Sequence, residues 1–266
     1  MLLRICIWIL GIVSIIGNCV VIFCRTRNRL RSSVHSFLIA NLALGDMLMG
    51  CYLLLIAFVD HSYRGEYFIH DSTWRKSKLC NFAGFLSTLS SESSVFTLTI
   101  ITMDRFLRII FPLKFKQFKM RNARLTMLST WLATTSIAGL PLLNIDYFRN
   151  FYGRSGVCLS LHITNQRPNG WEYSVFVFLV LNFISFFFIA VAYVWMFVVA
   201  KRTRSALKSA DIRLSSTMAK RIMLIVMVDF WCWMPIISLG ILSLNGVELP
   251  PQVRTGIPCN YETECF

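Results

Sequence analysis

Six apolar runs, each long enough to cross a hydrocarbon core, decide what this chain can become. They occupy residues 5–24, 37–59, 79–111, 123–144, 173–200 and 219–244. At about 1.5 Å per helical residue, each spans a core of roughly 30 Å. A backbone amide in lipid has no water to bond, so each run must satisfy its own ladder as a helix. The fold class expected is therefore an all-α membrane protein. Composition agrees: 15% of residues are charged, against about 25% in a soluble domain. The third run is the least uniform, interrupted by Glu92 and a Ser/Thr series. The first has the look of a signal peptide, with Arg4 ahead of its apolar core. However, it contains Asn18 and runs into Arg25, Arg27, Arg29 and Arg31, a stop-transfer pattern that favours a retained span.

The net charge of +14 does not point to nucleic acid, because the basic residues lie between the apolar runs instead of forming one face. Lys and Arg number four in 25–36, six in 108–124 and seven in 201–221, out of 27 in the chain. The positive-inside rule then puts these three connections in the cytoplasm and the N-terminus outside. Of nine cysteines, only Cys80 and Cys158 fall at outward-facing loop positions. An oxidising exterior favours a disulfide between them, the alternative being two unrelated thiols.

Each run also carries a polar or helix-distorting oddity. The first has Gly17-Asn18, the second "NLALGD" ending in Asp46, and the third ends on Asp104-Arg105-Phe106. The fourth has Trp131 and Pro141, the fifth Tyr193, and the sixth "FWCWMP" from Phe230 to Pro235. An ionisable residue in mid-span, as Asp46 is, marks a functional site by default. In this order and spacing the set resembles the rhodopsin-like (class A) G-protein-coupled receptors. "RGEY" at 64–67, "YFRNFYGRSGVCLSLH" at 147–162, "SESSVFTLTIITMDRF", "VDFWCWMPI" and "LNGVELP" are similar to the leucine-rich-repeat-containing branch. Within that branch they are nearest the relaxin-family peptide receptors.

The resemblance implies a role for each residue. Arg105 is the activation switch, held at rest by Asp104 and released toward Tyr193 and a heterotrimeric G protein. Trp233 beside the kink-forming Pro235 is the lever, and Asp229 restrains the sixth helix. Asn18, Asp46 and Ser94 form a polar pocket able to hold an allosteric sodium ion, with no other cofactor implied. Glu92 offers an interhelical hydrogen bond, its alternative being an ordinary protonated carboxyl. Pro112 and Leu113 present an apolar knob to the G protein, flanked by Lys114, Lys116 and Lys119, which also suit anionic lipid. Ser215 stands where many members carry an acid, so a full ionic lock is not expected. Ser185 replaces a common proline of the fifth helix.

The expected layout is a receptor bundle over residues 1–253 and a divergent tail over 254–266. That tail, "RTGIPCNYETECF" after Val253, holds neither a span-length run nor an asparagine-proline-tyrosine motif. The expectation is thus six of seven helices, signalling poorly alone, retained in the endoplasmic reticulum or damping a full-length partner as a receptor dimer. Otherwise the place expected is the plasma membrane, with membrane lipid, a G protein and a relaxin- or insulin-like peptide hormone as partners. The hormone would bind through an ectodomain outside this chain. The rival reading is a six-span transporter or channel, but residues 1–111 and 123–244 show no internal repeat. An enzyme fits worse, since His35, His61, His70 and His162 stand singly and no metal-spaced set appears.

Overall fold

The computed structural model describes residues 2–27, 33–111, 118–143, 145–160 and 169–204, with the single positions Trp231, Ser238 and Leu242. The sixth apolar run, with Asp229, Trp233 and Pro235, lies outside the described residues, as do Pro112, Leu113 and the tail 254–266.

The first five runs are helical. They form α1 (Leu2–Arg27), α2 (Val34–Ser62), α4 (Lys78–Ile110), α5 (Met120–Gly139), and a fifth rod made of α6 (Trp171–Val175), a π-helical stretch (Phe176–Leu181) and α7 (Asn182–Arg204). A short helix that hydropathy does not announce, α3 (Tyr67–Arg75), sits in the second connection. The apolar rods start a few residues earlier or end later than their runs. Cap chemistry sets two of these starts: Ser33 accepts from the Ser36 amide at 3.2 Å and Ser77 from the Cys80 amide at 3.1 Å. The fourth run, expected to reach residue 144, leaves the α-helix at Gly139 and tightens into a 3-10 turn at Leu140–Leu142. Pro141 is the cause, since it lacks the N–H that would continue the ladder.

Four of the rods are long and apolar enough to cross a membrane by length and composition. α4 is the longest helix at 33 residues yet is more polar, because it is the axis of the bundle and packs on α2, α5 and α7. Several of its hydroxyls bond within the helix: Ser87 and Thr88 both donate to the Gly84 carbonyl, and Ser93 donates to that of Ser90. Ser90 crosses to the Gly45 carbonyl of α2 at 2.8 Å. The close α1–α2 packing rests on glycine, as a Cβ on Gly50 would meet the Gly11 carbonyl at 3.1 Å.

At one end of the bundle a disulfide joins Cys80 to Cys158 across 78 residues. For a free chain such a closure removes about 4 kcal/mol of unfolded-state entropy. In a bilayer the gain is smaller, because inserted spans already limit the chain. The connection carrying Cys158 is bonded down around it. The Trp74 indole donates to the Gly156 carbonyl at 2.7 Å and the Tyr52 hydroxyl to that of Val157 at 2.7 Å. Arg75 donates to the carbonyls of Gly153 at 2.9 Å and Arg154 at 3.0 Å while pairing with Asp71. Tyr152 is fully buried against Gly84, where an added Cβ would come within 2.1 Å of the ring.

Gly84→Ala is therefore expected to force the Tyr152 ring aside at a cost of about 1–3 kcal/mol. That predicts a thermal midpoint several degrees lower in detergent-purified protein. Gly139→Ala, where no atom lies within 4 Å, should leave the midpoint unchanged in the same assay.

Candidate functional site: the polar column of α4

Three sites of buried polarity follow α4 from the disulfide end toward Arg105, and a fourth polar contact joins α2 to α5 beside it. The first pairs Glu92, fully buried, with Asn182, whose Nδ2 donates to Glu92 Oε1 at 3.1 Å. The same amide group reaches the Val177 and Phe178 carbonyls at 3.3 and 3.2 Å. A side chain bonded into the preceding turn is an identifiable cause of the π-helical stretch. The rod bulges without the proline that Ser185 replaces. Glu92 Oε2 and Asn182 Oδ1 have no partner among the described residues.

Asp46 and Ser94 form the second site. The Ser94 hydroxyl donates to Asp46 Oδ1 at 2.7 Å, joining α4 to α2. Asn18, expected in the same pocket, is one step removed. Its amide donates to the Ser14 carbonyl of its own helix at 2.9 Å, and the Ser14 hydroxyl donates to the Asp46 backbone carbonyl at 2.9 Å. The chain of bonds therefore runs Asn18–Ser14–Asp46–Ser94. Asn18 is four residues from Ser14, so its amide meets its own helix first.

The contact beside α4 fixes α5. The Trp131 indole donates to Asn41 Oδ1 at 3.1 Å, while Asn41 donates to the Phe37 carbonyl. Between these contacts lies an apolar layer of Leu38, Leu42, Leu98, Ile101, Met127, Ile189, Tyr193 and Met196.

The last site centres on Asp104. Its charge acts on the neighbouring Arg105 guanidinium. Its carboxylate is taken by Arg108, whose Nε donates to Oδ1 at 3.0 Å and whose Nη2 stands 3.0 Å from the same oxygen. The reason is helical geometry: neighbours point about 100° apart, whereas residues four apart share a face. Arg105 is half-buried, and among the described residues its Nε has no hydrogen-bond partner. The hydroxyls of Thr102 and Tyr193 are buried there beside each other. Tyr193 and the Arg105 guanidinium are near enough to interact electrostatically. The column thus ends in a cation with an unspent donor, facing a phenol on α7.

Comparison with known proteins places this geometry. The family model described as 7 transmembrane receptor (rhodopsin family) matches residues 17–256. The chain belongs to that family. It groups with the leucine-rich-repeat-containing members. It is 54% identical over 255 residues to G-protein coupled receptor GRL101 of Lymnaea stagnalis, covering 96% of this chain and 23% of that protein. It is 35% identical over 261 residues to human Relaxin receptor 2, covering 96% of this chain and 34% of that receptor. With the human Lutropin-choriogonadotropic hormone receptor the identity is 32% over 248 residues, covering 93% and 34%. The chain thus spans about a third or less of the length of these relatives. It is a multi-pass membrane receptor segment with a helical bundle.

Arg108, Ser14, Asn41 and Asn182 were not singled out from the sequence. Arg108 could have been, as the basic residue four beyond Asp104. Asn182 required knowing which face of the fifth rod meets Glu92, and an isolated apolar run holds no such register. Asn182→Ala should strand the Glu92 carboxyl and lower the thermal midpoint by the equivalent of about 1–3 kcal/mol. The double variant Glu92→Met with Asn182→Leu should recover most of that loss, measured as melting in detergent, because both polar groups then leave the core together.

Proposed function

We propose that this receptor chain relays a peptide-hormone signal of the relaxin or insulin-like class, received by an ectodomain, to a heterotrimeric G protein. The observation that carries the reading is Arg105, a half-buried cation with an unspent donor at the end of α4, while Asp104 is engaged by Arg108. In this reading the N-terminus and the Cys80–Cys158 end face outside, and the Arg105 end faces the cytoplasm. The clustering of basic residues in the connections at that end supports this orientation. Activation swings the sixth helix outward and frees Arg105 to engage Tyr193 and the G protein. Trp233 and Pro235 act as the lever, and Asp229 holds the resting state. Pro112 and Leu113 complete the G-protein contact.

The release is small in energy because Arg105 carries no strong pair to break. A bias of a few kcal/mol between two states then suffices to shift the population. The Asp46–Ser94 site has an all-oxygen donor set, chemistry that suits a hard cation such as sodium. Asp46 and Ser94 would supply two of the ligands, and the bound charge would balance the carboxylate in the resting bundle. Pairing of two receptor chains in the membrane belongs to the same reading.

The test is a chimera in which residues 1–253 replace the matching segment of Relaxin receptor 2, read with biosensors for heterotrimer dissociation. Hormone-dependent dissociation of at least one heterotrimer is expected, with Arg105→Glu reducing it by tenfold or more (about 1.4 kcal/mol). A chimera that reaches the cell surface yet moves no heterotrimer would refute the reading.

A further inference from the structure

At the Arg105 end, a cavity of about 360 Å³ opens between the last turns of α4 and the first turns of α5. Ile100, Met103, Leu107 and Phe118 form its apolar wall, and the Asp104–Arg108 pair forms its polar end. Its size falls at the low end of small-ligand pockets, about 300–1,000 Å³. Met103, which lines the cavity, is exposed among the apolar side chains of this surface, as are Leu125 and Leu128 on α5.

Asp104 is the one acid in the lining, and the charge beside it on the start of α5 is basic. Lys119, Arg121 and Arg124 are exposed on the cap and opening turns of α5. From Arg105 to Ile145 the sequence contains no Asp or Glu. Asp104 engages Nε and Nη2 of Arg108 at a single oxygen, which leaves further N–H donors of a five-donor guanidinium. An apolar slot ending in a partly engaged arginine, beside three more cations, matches one kind of molecule: an apolar chain with an anionic head.

We propose that this cavity seats one anionic glycerophospholipid. An acyl chain lies against Ile100, Met103, Leu107 and Phe118, and the phosphate accepts from Arg108. Only the source of the lipid rests on the orientation proposed above, which exposes the site to the anionic cytoplasmic leaflet. The binding chemistry is independent of signalling.

The experiment uses the full 266-residue chain in phosphatidylcholine nanodiscs. Trace photo-crosslinking lipids carry a diazirine in the acyl chain and either a serine or a choline headgroup. Adducts are mapped by peptide mass spectrometry, with an intact Cys80–Cys158 bridge as the fold control. The serine probe is expected to label peptides covering 99–108 and 118–126 about fivefold more than the choline probe, the effect of one basic contact near a membrane surface. Arg108→Gln should remove that preference, whereas Arg108→Lys should keep most of it. Met103→Trp, which fills the slot, should reduce labelling by both probes. Equal labelling by the two headgroups, or a preference that survives Arg108→Gln, overturns the proposal. So does suppression of labelling by excess inorganic phosphate, which would make the site a simple anion site. A cross-linked dimer of the chain at these peptides in place of lipid adducts would overturn it too.

Discussion

Everything in this bundle depends on keeping α4 out of lipid. Its buried polar residues run from Ser87 to Asp104, and in hydrocarbon each would need a partner or cost several kcal/mol. α2, α5 and α7 pack around it, and several of its hydroxyls, those of Ser87, Thr88 and Ser93 among them, bond back to their own helix. The apolar rods are thus a solvent for the polar one. This arrangement lets a membrane protein keep carboxylates and a guanidinium at different depths of one helix.

The two ends of α4 are built in opposite ways. At the disulfide end, polar groups are paired: Trp74, Tyr52 and Arg75 all bond into the connection that Cys158 anchors. At the other end, Arg105 keeps a buried Nε–H without a partner among the described residues. Unspent donors and acceptors are costly to bury, so the Arg105 end is the part of the column with most to gain from rearrangement. The Cys80–Cys158 end is thus braced by bonds and the Arg105 end is held by fewer.

Much of this was legible in the residues. The first five helical runs, the Cys80–Cys158 bridge and the membership of the family followed from hydropathy, loop charge and spaced motifs. Contacts across helices were harder. Asp46 with Ser94 could be anticipated from the resemblance, yet the step from Asn18 through Ser14 could not, because it turns on which hydroxyl an amide meets first. The bond from Arg108 to Asp104 was missed for a local reason: residues four apart share a helical face, whereas the motif joins neighbours. The helix α3 gave no hydropathy signal because nine residues with a polar face resemble any loop.

The π-helical stretch of the fifth rod has a consequence of its own. An extra residue in one turn rotates everything beyond it by about 100° relative to a regular helix. Val177 and Phe178 therefore meet Ile137 and Tyr173 near the mouth, while Ile189, Tyr193 and Met196 enter the inner apolar layer. Straightening that turn would leave the upper half of the rod in place and swing Tyr193 off its azimuth, so the phase of a single rod sets which phenol Arg105 can find.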